Sequence, residues 1–75
     1  MTNTYIDYLL DVLHTAYEKV EEDRARTFEA FVKAEDGSVE EKRLDLRLQK
    51  LKQAKRNIGM LVGNLYDIRS YNNAE

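Results

Sequence analysis

Apolar residues recur three and four positions apart in two long stretches of this chain, on either side of a short polar break. On a seven-residue frame the first stretch sets Ile6, Leu13, Val20, Thr27 and Ala34 in one row and Leu9, Ala16, Asp23 and Ala30 in a second. The later stretch repeats the pattern with Leu44, Leu51, Ile58 and Leu65, then Arg47, Ala54, Leu61 and Ile68. A third row, Leu10, Tyr17 and Phe31 in the first stretch and Leu48 and Val62 in the later one, makes each stripe wider than a two-stranded seam. The spacing predicts an all-α fold, an antiparallel hairpin of two long helices. As a single domain over 1–75, it has helix 1 at about 4–35, a turn at 36–38, helix 2 at about 39–70 and a frayed tail at 71–75.

The break carries its own signals. Gly37 suits the left-handed position after a helix, and Ser38 with Glu41 makes an S-x-x-E capping box that opens the next one. Thr4 with Asp7 is a weaker start signal for helix 1. The weakest stretch of helix 2 is Gly59-Met60-Leu61-Val62-Gly63, because each interior glycine costs about 1 kcal/mol relative to alanine. Small residues four apart also permit close approach of another helix, and Gly59 and Gly63 are read as a tight crossing at a dimer interface, with a docking groove for a foreign helix as the alternative.

Two helices folded on each other leave part of a three-row stripe wet, and a second copy is the natural remedy. With 75 residues, no cysteine and a single histidine, the chain lacks disulfides and the usual structural metal ligands, so oligomerisation is the remaining aid to stability. The expectation is a homodimer in which two hairpins form a four-helix bundle. The N-terminal stretch has no basic segment and the apolar run Met60-Leu61-Val62 is short, so neither a signal peptide nor a membrane span is expected and the chain reads as cytoplasmic.

Charge refines this picture. Residues 1–36 carry nine acids and four bases, whereas residues 37–75 carry five acids and eight bases, so the two halves attract each other. Arg43, Arg47, Lys50, Lys52, Lys55 and Arg56 form the basic core of helix 2 and are the candidate contacts for RNA or DNA. With Leu51 at zero and about 100° per residue, Arg47, Arg43 and Lys50 fall on one shoulder of the leucine stripe and Lys55, Lys52 and Arg56 on the other. Bases that bracket a stripe read first as flanks of a helix–helix seam facing the acids of helix 1, and only as a binding surface if a dimer merges the shoulders.

Asp23, Arg24 and Arg47 interrupt the stripe itself and are read as a polar layer, with Asp23 and Arg47 meeting in a salt bridge that sets register and Asp7 and Arg69 forming a similar pair near the open end. Asp11-x-x-His14 is a degenerate acid-x-x-His pair on the outer flank, without a matching pair in helix 2, so no metal, cofactor or catalytic residue is expected. Tyr5, Tyr8, Tyr66 and Tyr71 gather at the open end, and Leu46 and Met60 point away from the stripe; these six are the candidate partner-binding residues. The architecture resembles that of small bacterial and phage helical hairpins, plasmid copy-control bundles and secretion chaperones among them, but no residue motif carries over. The sequence thus points to a non-enzymatic, homodimeric module that regulates or chaperones another protein, with a dimeric nucleic-acid-binding regulator as the alternative.

Overall fold

A computed structural model describes residues 2–74. The chain forms two helices, α1 (Asn3–Lys33) and α2 (Val39–Ala74), packed antiparallel into a rod whose Cα atoms span 57 × 14 × 13 Å. α1 begins two residues earlier than Thr4 would allow as its cap. Thr2 is extended, and its Oγ1 accepts the Tyr5 N–H at 3.2 Å, satisfying one of the amides that a helix start leaves without an intrahelical partner.

α1 stops at Lys33, short of the expected 35, because Ala34 turns extended (ψ 148°) and its N–H bonds to Phe31 O at 3.2 Å. Residues 35–38 then form a β-turn: the Ser38 N–H donates to Glu35 O at 3.1 Å and Gly37 has φ +77°. A positive φ at the third residue alone is the type II pattern, which needs glycine there. Glu41 N donates to Ser38 Oγ at 3.1 Å, and Glu41 Oε1 accepts from Gly37 N at 3.1 Å, one residue before the usual partner in a capping box.

α2 runs unbroken through Gly59 and Gly63 and on to Ala74, so residues 71–74 are helical where a frayed tail is expected; Glu75 lies outside the described residues. Side chains of the opposite helix end account for the extension. Asn3 Nδ2 donates to Asn73 Oδ1 at 2.8 Å and Asn72 Nδ2 donates to Asn3 Oδ1 at 3.2 Å, tying the last turn of α2 to the first turn of α1.

The core sits at this open end. Ile6 is fully buried, with Leu10 and Leu65 beside it and Leu9, Leu13 and Val62 packed around them. Toward the turn the interior becomes polar: Thr27 is the buried residue there, and its Oγ1 donates to Asp23 O at 2.7 Å and accepts from Arg47 Nε at 3.4 Å.

α2 is rotated relative to the expected seam. The row facing α1 is Leu44, Leu48, Leu51, Lys55, Ile58, Val62, Leu65 and Arg69, all buried or half-buried, whereas Leu61 (51% exposed), Ile68 (39%) and Arg47 are turned outward. In α1, Ala30 and Arg24 are likewise exposed rather than in the seam. This rotation covers Leu48 and Val62 and brings charges of the two helices together. With Lys55 and Arg69 turned toward α1 they reach Glu21 at 3.0 Å and Asp7 at 3.1 Å, which costs the chain cover for Leu61 and Ile68.

Candidate interaction site

The ion pairs between the helices define two sides of the rod. Asp23 with Arg47 marks one side, and Glu21 with Lys55 and Asp7 with Arg69 mark the other. Helical spacing then assigns the neighbouring positions: Tyr5, Leu9, Val12 and Ala16 in α1 lie on the Asp23 side, as do Ala54, Leu61, Ile68 and Tyr71 in α2. His14, Tyr17, Lys52, Gly59 and Tyr66 lie on the Glu21 side.

The six basic residues therefore do not make one patch, and three of them are engaged within the chain. Arg43 pairs with Glu40 at 2.6 Å on its own helix, Arg47 with Asp23, and Lys55 with Glu21. Lys50 is on the Asp23 side, while Lys52 and Arg56 are on the other, flanking an open groove of about 790 Å³ with Tyr17, Gln49 and Gly59. Lys55 spans this groove with its ammonium 5.6 Å from the Tyr17 ring centroid. Gly59 is part of its wall, and a Cβ built there would meet nothing within 4 Å.

Electrostatics concentrate on the Glu21–Lys55 pair. Glu21 Oε1 is shielded from solvent, with Lys55 Nζ at 3.0 Å and Arg24 Nε at 3.6 Å. The Lys55 ammonium holds Glu21 below the usual carboxylate range against an opposing push from desolvation. Glu21 in turn, helped by Tyr17, holds Lys55 above the usual lysine range. A carboxylate with a depressed folded-state pKa contributes stability that is complete above its unfolded value and is lost as pH falls through the folded one; for Lys55, loss comes only as pH rises through its raised value. Between about pH 6 and 9 this pair should leave stability flat. In thermal melts, Lys55→Met should therefore lose less stability on acidification than the native chain; equal losses would show that the pair contributes nothing.

The polar layer is reduced to a surface-edge pair. Asp23 and Arg47 pair as their spacing implies, but their side chains are 38% and 55% exposed, and Arg24 reaches instead to Glu21 on its own helix. A pair this wet sets register more than it stabilises. The four tyrosines are all exposed, and they do not form one cluster. Tyr5 and Tyr8 have ring centroids 6.4 Å apart and adjoin Val12, whereas Tyr66 is on the Glu21 side with the glycines. Leu46 and Met60 lie exposed on the back of α2, about 20 Å apart along the helix axis.

Sequence reasoning did not single out the strip that emerges on the Asp23 side of the open half, where Leu9, Val12, Ala16, Leu61 and Ile68 are half-buried or exposed and every intervening position of that side is uncharged. The signal was present in the rows, because Leu61 and Ile68 share one, but the rotation of α2 that exposes them was not. Among the described residues, no group of histidine, cysteine and carboxylate side chains could hold a metal ion, and no helix is long and apolar enough to cross a membrane. No protein-family model, curated protein or solved structure matches this chain.

Proposed function

We propose that the chain is a non-enzymatic protein-interaction module, a hairpin that assembles as a homodimeric four-helix bundle and regulates or chaperones a partner protein. The observation that carries this reading is the uncovered apolar surface. Most of the α1 stripe and two of the three α2 rows are covered, but the α2 row of Leu61 and Ile68 stays exposed, with Val12 exposed beside the α1 stripe, although such surface on a small protein gains from being covered. The chain exposes 5858 Å². A compact monomer of 8.8 kDa exposes about 4,800 Å², and a rod of 57 × 14 × 13 Å, only two helices thick, exposes more by its shape.

The division of the bases between two sides, with half of them engaged by in-chain carboxylates, favours a protein partner over nucleic acid. Sedimentation equilibrium on the native chain should give about twice the 8.8 kDa chain mass; a species of that single mass, unchanged on concentration, would remove the dimer. A nucleic-acid function would show itself as ultraviolet-absorbing material that co-purifies, is released steeply by salt and is lost in Lys52→Glu/Arg56→Glu.

A further inference from the structure

Among the described residues, two of the three cross-helix charge pairs are on the Glu21 side of the rod. The Asp23 side divides at mid-length: its closed half carries Lys19, Asp23, Arg26, Arg47 and Lys50, and its open half, positions 5–16 of α1 and 54–71 of α2 on that side, carries no charge at all. In a chain that is 35% charged, such a neutral strip is a surface that can stack on itself without setting like charges together.

From this division we infer that the occupant of the strip is a second copy of the chain, laid antiparallel so that open half covers open half, with the two-fold axis crossing the rod at the level of Val12 and Asn64. The inference rests on the self-association proposed above and specifies its face. The antiparallel hairpin sets that level, because Asp7 opposite Arg69 and Glu21 opposite Lys55 place Val12 opposite Asn64. A two-fold at this height sets Leu61 against the partner copy's Ile68, and Leu9 against its Ala16, a large side chain opposite a small one. The basic closed halves then project in opposite directions.

Two other overlaps are disfavoured by charge. A parallel bundle would set Arg26 of each copy against Lys50 of the other. A full-length antiparallel overlap would press Leu61 and Ile68 of each copy onto the charged closed half of the other, with the desolvation cost that entails.

Because the native chain has no cysteine, single cysteines report the contact directly. Asn64→Cys should form a disulfide-linked dimer under mild oxidation, since residues at the two-fold meet their own copies, whereas Gly63→Cys on the opposite side should not. Leu61→Asp/Ile68→Asp should keep the helical signal of the hairpin, where both residues are already exposed, and weaken dimerisation by about 100-fold or more through buried charge. A native dimer that survives the double Asp variant, or that links through position 63 and not 64, would overturn the face while leaving the dimer standing. Linking only between Val12→Cys and Asn64→Cys chains would overturn the antiparallel arrangement. A native chain that sediments as a monomer would remove both this inference and the reading it rests on.

Discussion

Ile6→Asp is expected to unfold the hairpin. Among the described residues Ile6 is the one large side chain with 0% exposure, and it is the centre of a core whose other buried apolar members are Leu10 and Leu65. Truncating a buried isoleucine costs about 2–5 kcal/mol, and setting a carboxylate in its place adds the penalty of an unpaired buried charge. A domain of this size holds only about 5 kcal/mol in reserve, so the sum exceeds it. Far-UV circular dichroism at neutral pH should show the helical signal largely lost, and sedimentation should find no folded dimer. The control is Leu61→Asp, one row away on α2, which should remain helical because that side chain already meets water. A helical Ile6→Asp would mean that the open-end core does not hold the hairpin together.

The contrast between those two substitutions also marks how far the sequence could be read. Periodicity placed Ile6, Leu65 and Leu61 alike in a stripe, and it gave two helices, the turn at Gly37 and the Ser38 cap. It also placed Asp23 opposite Arg47 and Asp7 opposite Arg69, because a closed hairpin fixes which heights meet. What periodicity cannot supply is the rotation of each helix about its own axis. A three-row stripe is wider than one neighbouring helix can cover, so several rotations bury similar apolar area. The rotation adopted covers Leu48 and Val62 and pairs Lys55 and Arg69 with carboxylates of the other helix. That choice turned Leu61 and Ile68 outward and made the neutral strip. The end of α2 was hidden for the same reason: Asn72 and Asn73 look like a fraying tail until Asn3 is brought beside them.

Replacing both Gly59 and Gly63 by alanine is expected to raise stability by about 1–2 kcal/mol, since each interior helical glycine costs nearly 1 kcal/mol relative to alanine and neither site has a neighbour to strike. A Cβ built at either position meets nothing within 4 Å, and neither residue has the positive φ that Gly37 requires. The hairpin itself therefore gives no reason for two glycines one turn apart in the middle of a 36-residue helix. Both face away from the neutral strip, so with the second copy on the Asp23 side the double variant should unfold at higher denaturant concentration and dimerise as tightly as the native chain. Urea unfolding monitored by circular dichroism gives the first quantity and sedimentation equilibrium the second. If the variant is more stable as a hairpin but loses its dimer, the close approach that glycine permits is being used by the second copy, and the interface belongs on the side of Tyr17, Gly59 and Tyr66. If stability and dimerisation respond as expected, the glycines serve neither the hairpin nor its self-association.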